Sequence, residues 1–494
     1  MADAYARLTG HVGVCAVSSG VAHSNALTGV ANAFFDGAPL LLISGASKGY
    51  GADRGVFQEV DQVALATPIC KYAKLVNHVG DLEFRVKQAF AVAISGRPGP
   101  VHLTIPLDVM ESEANFSSES KNKTSKNSME YVDLGSLNEA SQIIACSQHP
   151  LIIAGSGVFY SKGQEAMIRF SEAFEIPIVI PIWDRGSVDK PNKNFLGVIG
   201  AASGEARLLE DVDLFILAGV RVDYRTGFLA PPKVKENAFI IRIDQDPYEL
   251  SQGKKPNLSF LANPSLIFDQ LTNTTSPKDR TLHTQWLKEA QRRWRIFYSC
   301  WTKKSIPTSK LISGWHIVKS IQPLLTEDTV FLIDGGNIGQ WAHMLLATNR
   351  YPSHWLTCGA SGVVGWGIPG AMAAKLAYPD NSVLLLSGDG SFGFTITEIE
   401  SAVRQKLPFV VVVANDSAWG IVACYQKRMF GQEGVIASKF GDLRFDKIAE
   451  ALGANGLRIE DPLKLTSAIR EGFSADLPTV IDVPISLGGP SDAK

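Results

Sequence analysis

Short runs of apolar, often β-branched residues recur along the chain, and longer stretches of helical character separate them. Continuous apolar runs of this kind are typical of strands that are buried on both faces of a parallel sheet. The runs are Val12–Ser18, Pro39–Ser44, Val101–Ile105, Pro150–Gly155, Ile176–Pro181, Asp213–Gly219, Ala238–Asp244, Thr329–Gly335, Val383–Gly388 and Pro408–Asn415. Their alternation with helices predicts an α/β protein built from doubly wound parallel sheets.

Two polar stretches divide this pattern into three parts. Residues 112–130 are rich in Ser, Lys and Asn and poor in apolar side chains, which predicts a solvated linker. A second polar stretch, Thr272–Arg280, separates the middle of the chain from its last third. Because 494 residues exceed the size of one hydrophobic core, we expect three domains, near residues 1–115, 130–275 and 308–494.

The charge balance is nearly even, since 47 basic and 49 acidic side chains give a formal net charge of −2. This balance favours neither nucleic acid nor a membrane surface as a partner, so we expect a small-molecule ligand. No apolar run reaches the length of a membrane-spanning helix, and the first residues lack a signal-peptide pattern. The six cysteines are scattered without metal-ligand spacing, and a cytoplasmic protein is the expectation.

The strongest local signal is the segment Gly388–Ser391 (GDGS), which directly follows a predicted strand. Its glycines let the backbone approach a phosphate closely, and a helix expected to start near Phe392 would direct free N–H groups at that anion. A second loop follows the next strand, Pro408–Asn415, and begins with Asp416. Because the carboxyl ends of parallel strands meet at one sheet edge, Asp389 and Asp416 are expected to lie side by side, as a Mg²⁺ ion shared with a diphosphate requires.

This pair of loops resembles the signature of thiamine-diphosphate enzymes, a Gly-Asp-Gly followed by an Asn-Asn or Asn-Asp pair. By that resemblance Asp389 and Asp416 are metal ligands through their side chains, and Ala418 is a third through its carbonyl. Residues 334–337 and 361–369 resemble further parts of the family's diphosphate-binding domain, in which Val364 takes the place of the residue that props the bent cofactor. The implied cofactor-binding residues are Asn25, Gly336, Asn337, Gly362, Val364, Gly388, Asp389, Gly390, Ser391, Phe392, Asp416, Trp419, Gly420 and Ile421.

The first third of the chain resembles the family's pyrimidine-binding domain. Residues 1–10 (MADAYARLTG) match the family's MADGYARxTG, and residues 19–25 (SGVAHSN) match SGPGxxN with Pro-Gly replaced by Val-Ala. The resemblance implies that Gln58 points into the substrate pocket, which makes it the candidate catalytic residue, whereas His23 is expected to be structural. Residues 46–70 contain no histidine, which argues against a pyruvate-decarboxylase-like specialisation and for carboligation or carbon–carbon lysis.

In the family, a glutamate that activates the cofactor precedes the aspartate that matches Asp3, and that position would lie upstream of Met1. We expect the chain to be a fragment of a longer active enzyme. The alternative is a complete protein that binds the cofactor but is catalytically poor. Mass spectrometry of the native N-terminus separates the two explanations.

Residues 219–227 (GVRVDYRTG) and 241–247 (IRIDQDP) resemble the family's central domain. In acetolactate synthases this domain holds FAD, and in relatives that act on hydroxyacyl-CoA a nucleotide or CoA lies nearby. FAD is therefore a possible additional cofactor beside thiamine diphosphate and Mg²⁺.

The resemblance implies a carbon–carbon ligase or lyase of the acetolactate synthase type, acting on 2-oxo acids such as pyruvate in branched-chain amino acid biosynthesis. The alternatives are a 2-hydroxyacyl-CoA lyase, an oxalyl-CoA decarboxylase-like enzyme, or a catalytically weak cofactor-binding paralogue. An NAD-dependent enzyme is disfavoured because no GxGxxG motif that follows a predicted strand has an acidic residue about 20 positions further on. Family members place the active site between two subunits, so a homodimer or homotetramer is expected.

Overall fold

The computed structural model describes residues 1–49, 54–114, 132–184, 187–188, 192–200, 204–276, 280–304, 312–346 and 354–490. Within these ranges the chain forms three parallel β-sheets, one in each third of the sequence, with helices against their faces. The predicted α/β class with three parallel sheets is therefore confirmed. Among the same residues, no helix is both long enough and apolar enough to cross a bilayer.

The first sheet has four strands in the order β1-β2-β4-β3. The strands are β1 (Gly13–Val17), β2 (Leu40–Ala46), β3 (Tyr72–Leu75) and β4 (Pro100–Pro106). The helices are α1 (Ala2–Thr9), α2 (Val21–Asp36), α3 (Gln62–Ala66), α4 (Leu82–Ile94) and α5 (Leu107–Met110). Successive residues of β2 pack into two different cores, since Leu41 lies in one cluster and Leu40 and Leu42 in another. Both faces of the sheet are therefore covered.

The second sheet has six strands in the order β10-β9-β8-β5-β6-β7. The strands are β5 (Pro150–Ala154), β6 (Ile178–Pro181), β7 (Phe195–Ile199), β8 (Leu214–Ala218), β9 (Phe239–Asp244) and β10 (Leu258–Leu261). The helices are α6 (Leu134–Cys146), α7 (Ser156–Tyr160), α8 (Gln164–Phe174), α9 (Pro247–Ser251), α10 (Pro264–Thr274) and α11 (Arg280–Lys304). The central strand β5 is buried along its whole length, as its apolar sequence predicts.

The third sheet has six strands in the order β12-β11-β13-β14-β16-β15. The strands are β11 (Thr329–Asp334), β12 (Trp355–Thr357), β13 (Ser382–Gly388), β14 (Val410–Asn415), β15 (Asn455–Arg458) and β16 (Thr479–Pro484). The helices are α12 (Gly314–Ile321), α13 (Asn337–Leu345), α14 (Gly367–Ala377), α15 (Asp389–Phe394), α16 (Glu398–Arg404), α17 (Gly420–Phe430), α18 (Phe445–Ala451) and α19 (Leu465–Phe473). Alternate residues of β13 and β14 again enter two separate cores, so this sheet is also covered on both faces.

Two expectations about local structure need correction or restriction. The helix expected from near Phe392 begins earlier, at Asp389, and it ends at Phe394 before a second helix starts at Glu398. The break occurs because Thr395 leaves the helical conformation and donates its hydroxyl hydrogen to the carbonyl of Gly365 at 2.9 Å. Most of the predicted linker at 112–130 lies outside the described residues.

Candidate functional site

Two loops meet at the carboxyl edge of the third sheet, where the strand order reverses. From β11 the chain first forms the edge strand β12 and then crosses to β13 on the other side of β11. Ligands of doubly wound sheets bind at such reversal points. Gly335, directly after β11, has φ 143°, and a Cβ atom there would lie 2.6 Å from the backbone nitrogen of Gly388. Glycine at this position therefore allows the two loops to touch.

A cavity of about 280 Å³ opens at this edge, and we call it the diphosphate cavity. The predicted residues that line it are Gly336, Asn337, Gly362, Val364, Gly388, Asp389, Gly390, Ser391, Asp416, Ala418, Trp419, Gly420 and Ile421. The structure thus brings into one place residues that the sequence distributes over four separate segments. Their role in binding a cofactor remains a prediction.

Asp389 and Asp416 lie next to each other in this cavity with little solvent to screen their charges. Burial raises the pKa of Asp389 to about 6, although the backbone N–H groups of Gly390 and Ala418 donate to its carboxylate at 2.9 and 3.1 Å. Burial and the neighbouring carboxylate of Asp389 raise the pKa of Asp416 to about 7. Two carboxylates that oppose each other's ionisation form a place where a divalent cation would relieve the repulsion.

The donor set fits a Mg²⁺ ion that also binds phosphate. Among the described residues, no third His, Cys, Asp or Glu completes a protein-only cage around a metal ion. Mg²⁺ is commonly held by one or two carboxylates together with phosphate oxygens, which is the composition available here. Ala418 lines the cavity and directs its amide N–H at Asp389, while ligation through its carbonyl stays a prediction.

Glycines allow the walls of the cavity to approach closely. A Cβ atom at Gly420 would lie 2.3 Å from a carboxylate oxygen of Asp416 and 2.7 Å from the amide nitrogen of Asn337. At Gly390, a Cβ atom would lie 2.7 Å from the ring of Trp419. Any larger residue at either glycine would therefore push an acidic or aromatic wall residue into the cavity.

The loop that carries Gly362 and Val364 is anchored by the first domain of the same chain. Arg7, which is buried, donates to the carbonyl of Thr357 at 2.9 Å and lies 3.2 Å from the carboxylate of Asp36. Asp36 in turn accepts the backbone N–H of Ala360 at 2.8 Å. This ion pair joins α1 and α2 to the loop that lines the diphosphate cavity.

Three of the predicted residues do not line this cavity. The side chain of Phe392 packs in the hydrophobic core against Phe445, with ring centroids 5.5 Å apart, because α15 turns it inward. The side chain of Phe392 is therefore structural, and only its backbone remains a candidate for cofactor contact. Asn25 is exposed on α2, and Gln58 lines a different cavity in the first domain.

The second cavity, which we call the Gln58 pocket, has a volume of about 550 Å³. Gln58 has φ 60°, a conformation that a residue with a side chain adopts only when its surroundings enforce it. The hydroxyl of Ser19 donates to Oε1 of Gln58 at 3.1 Å, and a Cβ atom at Gly20 would lie 2.3 Å from the Gln58 carbonyl oxygen. Such enforced strain clusters at functional sites.

Several residues of the diphosphate cavity were not among the predicted ones. Asp334 lines it at the end of β11, and burial raises the pKa of its carboxyl to about 6. Its position before a Gly-Gly pair was a usable signal. Trp183, from the central domain, also lines the cavity with φ 65°, and nothing in its local sequence indicates that placement.

The cleft between the first and central domains is narrow in this structure. Its cavity measures about 30 Å³, which holds a few water molecules. The arginines that line it already face carboxylates: Arg221 and Arg97 contact Glu249 at 3.1 and 3.5 Å, and Arg225 contacts Asp184 at 3.6 Å. A dinucleotide would have to displace this network, so FAD stays an expectation from the resemblance alone.

Comparison with known protein families gives three consecutive matches. The N-terminal TPP binding domain of thiamine pyrophosphate enzymes matches residues 1–65, the central domain matches residues 137–271, and the C-terminal TPP binding domain matches residues 334–483. The matched segments contain Gln58 and most residues of the diphosphate cavity, whereas Leu75, Thr104 and Pro106 of the Gln58 pocket lie outside them.

Similar proteins are large subunits of acetolactate synthase. The chain is 29% identical to the acetolactate synthase large subunit of Haemophilus influenzae over 96% of its own length and 83% of that protein. It is 30% identical to the large subunit of acetolactate synthase isozyme 3 of Escherichia coli, with the same coverage of both proteins. It is 27% identical to the mitochondrial acetolactate synthase catalytic subunit of Saccharomyces cerevisiae over 98% of the chain and 73% of that protein.

Proposed function

The chain belongs to the thiamine pyrophosphate enzyme family, and we propose that within this family it makes or breaks carbon–carbon bonds of 2-oxo acids such as pyruvate. In this proposal the mode of action resembles that of the acetolactate synthases, to which the chain is similar over most of its length. The observation that carries the proposal is the adjacent pair Asp389 and Asp416 in a cavity whose walls approach closely through glycines.

Each part of the diphosphate cavity has a distinct task in this proposal. Asp389 and Asp416 would hold Mg²⁺, and the glycine-containing loops would let the backbone contact a diphosphate. Val364 would pack beneath the organic part of the cofactor. When bound there, thiamine diphosphate would supply a nucleophilic carbon and an acceptor for the developing negative charge.

The Gln58 pocket would receive the substrate. The side-chain oxygen of Gln58 accepts a hydrogen bond from Ser19, which leaves its amide N–H groups available to a substrate oxygen. Because the bond from Ser19 fixes the side-chain oxygen of Gln58, this donor would be positioned before the substrate arrives.

We propose that a second copy of the chain completes the active site. Gln58 and Asp389 line separate cavities of one chain, so a substrate held by Gln58 needs a diphosphate cavity from elsewhere. Exposed apolar side chains lie on the segments that contribute to each cavity and are suited to an interface. They are Phe57 and Val60 beside the Gln58 pocket, and Ile421, Val422, Tyr425, Met429 and Phe430 on α17 beside the diphosphate cavity.

An activity assay tests the proposal. The protein at its native length, with its N-terminus established by mass spectrometry, is supplied with thiamine diphosphate and Mg²⁺ and offered pyruvate, other 2-oxo acids and a 2-hydroxyacyl-CoA in parallel. We expect turnover of a 2-oxo acid, with an acetolactate-type product from pyruvate, and loss of that turnover in the Asp389→Ala variant. Turnover of the CoA ester alone would support the lyase alternative, and no turnover of any substrate would support a catalytically weak cofactor-binding protein.

A further inference from the structure

A chain of buried polar side chains lies beneath the Gln58 pocket. His23 Nδ1 lies 2.8 Å from the hydroxyl of Ser44, which lies 3.3 Å from Nε2 of His102. The same nitrogen of His102 lies 3.2 Å from the hydroxyl of Thr104. The two histidine rings are tilted against each other with centroids 4.7 Å apart. His23, Ser44, His102 and Thr104 form what we call the histidine network.

The histidine network is shielded from bulk solvent, and its rings are neutral. His23, Ser44 and His102 are fully buried, and Thr104 is 4% exposed. Burial lowers the pKa of His102 to about 3, with a further contribution from His23, and burial also lowers the pKa of His23. Each ring at neutral pH therefore carries a hydrogen on one nitrogen only.

The position of the hydrogen on His102 follows from its surroundings. Nδ1 of His102 is buried without a hydrogen-bond partner, so a hydrogen placed there would be orphaned. Orphaned buried N–H groups are rare in proteins and costly. The hydrogen therefore lies on Nε2, which faces the hydroxyl oxygens of Ser44 and Thr104.

Gln62 supplies a second donor to Thr104. Its Oε1 accepts the backbone N–H of Gly20 at 2.7 Å, and its Nε2 donates to the carbonyl of Gly45 at 3.0 Å. With the amide fixed in this orientation, the remaining hydrogen on Nε2 points to the hydroxyl oxygen of Thr104 at 3.3 Å. Gln62 is 4% exposed, so water does not compete for these bonds.

The hydroxyl oxygen of Thr104 thus faces two donors: the amide of Gln62, and the Nε2–H of His102, whose single hydrogen it shares with the hydroxyl oxygen of Ser44. A hydroxyl group has two acceptor lone pairs and one hydrogen, so both lone pairs are engaged. Its hydrogen must point away from the histidine network, and Thr104 lines the Gln58 pocket. We propose that the histidine network fixes the Thr104 hydroxyl as a hydrogen-bond donor to an oxygen of the bound substrate.

This inference rests on the proposed function and narrows its substrate class. Gln58 and Thr104 both line one pocket, and each turns a donor toward it. Two fixed donors select a ligand with acceptor oxygens, as a carboxylate or a ketone carbonyl has, and disfavour one that offers only donors. Thr104 is a substrate-binding residue in this account, and His102 is a positioning residue.

Substitution of Thr104 tests the donor role. We expect Thr104→Val, which removes the hydroxyl and keeps the shape, to lower kcat/KM for a 2-oxo acid by about 10- to 100-fold, mainly through KM. Thr104→Ser keeps the hydroxyl and should stay within about threefold of the wild type. Thr329→Val, at a buried threonine on β11 remote from the pocket, is the matched control. The melting temperature of each variant shows whether it is folded.

The choice of substrate separates the two oxygens that Thr104 could bind. If it binds the carboxylate, Thr104→Val impairs pyruvate and leaves an aldehyde substrate such as acetaldehyde unaffected. If it binds the carbonyl, both substrates are impaired. Either outcome supports the inference, whereas wild-type kcat/KM values for both substrates in a folded Thr104→Val protein would overturn it.

A spectroscopic measurement tests the histidine network without any turnover. In protein labelled with ¹⁵N-histidine, we expect the signals of His102, assigned by comparison with the His102→Leu variant, to show a neutral ring protonated on Nε2 at pH 7. Protonation on Nδ1 would overturn the inference, since Nε2 would then be an acceptor and could take the hydrogen of the Thr104 hydroxyl. If no 2-oxo acid is turned over by the wild type, the proposed function fails while this readout still decides the state of the network.

Discussion

The carboxyl group of Asp416 lies against that of Asp389, and each residue directly follows a different strand of the same sheet. Burial disfavours charge on both groups, and their proximity disfavours it further. A protein gains nothing in stability from such a pair. The arrangement is explained when a divalent cation and a diphosphate occupy the cavity between the loops.

Asp416 is expected to tolerate the loss of its charge better than the loss of its oxygen ligand. Asp416→Asn keeps an oxygen ligand and removes the repulsion with Asp389, so we expect the half-saturating Mg²⁺ concentration for cofactor binding to rise by less than about tenfold. Asp416→Ala removes the ligand and should raise it by more than about tenfold. Tryptophan fluorescence can follow binding, since Trp419 lines the cavity. Asp380→Asn, an exposed carboxylate before β13, is the control, and equal behaviour of all three variants would contradict the assignment.

The approach of Trp419 to α15 depends on the absence of a side chain at Gly390. Gly390→Ala would place a Cβ atom 2.7 Å from the indole ring, so we expect it to displace Trp419 and weaken thiamine diphosphate binding at least about tenfold. Gly393→Ala, in the same helix, places its Cβ atom 3.9 Å from the nearest neighbour and should bind normally. Titration of both variants with cofactor makes the comparison. Identical affinities of the two variants would show that cofactor binding does not need the close approach of Trp419 to Gly390.

The buried ion pair between Arg7 and Asp36 should be important for stability. Arg7→Met leaves the Asp36 carboxylate buried without its cation, and we expect the free energy of unfolding to fall by about 3–5 kcal/mol. Arg404→Met removes an exposed pair with Glu400 and should cost less than about 1 kcal/mol. Denaturant unfolding measures both. The double variant Arg7→Met/Asp36→Asn should recover part of the loss, and no recovery would contradict the ion-pair explanation.

Stability should decrease in mild acid because of His102. Its pKa is lowered to about 3 in the folded protein, whereas a histidine in an unfolded chain titrates near pH 6.5. Between these values the unfolded state binds the extra proton, so the free energy of unfolding falls as the pH drops below about 6.5. His102→Leu should reduce this slope by up to about 1.4 kcal/mol per pH unit, as measured by urea unfolding between pH 7.5 and 5. The exposed His78→Leu is the control, and an unchanged slope in His102→Leu would contradict the expectation.

The sequence predicted most of the strands that are buried on both faces but missed β16 (Thr479–Pro484), which lies between β14 and β15. Val410–Asn415 is apolar up to its last residue and was expected two residues longer at its start, where Pro408 precedes the first ladder pair. The edge strands Tyr72–Leu75 and Asn455–Arg458 were not expected, because they are partly exposed and contain polar residues that break any apolar run. Edge strands depend on tertiary pairing and carry a weak local signal.

The candidate site was predictable where its residues are close in sequence. The carboxylates Asp389 and Asp416 each follow a recognisable strand, so fold class alone placed them at one edge. The histidine network was not predictable, because His23, Ser44 and His102 come from α2, β2 and β4 and meet only after the first sheet has formed. His23 was expected to be structural, and its partners could not be named from the sequence.

The most direct test of the account is calorimetric titration of the protein with thiamine diphosphate, with Mg²⁺ present or removed by a chelator. We predict one cofactor bound per chain in the presence of Mg²⁺, and at least about tenfold weaker binding without it or in the Asp389→Ala/Asp416→Ala variant. Cofactor binding of equal strength in the wild type with Mg²⁺, the wild type without Mg²⁺ and the double variant would contradict the assignment of these two carboxylates to a metal-bridged diphosphate site.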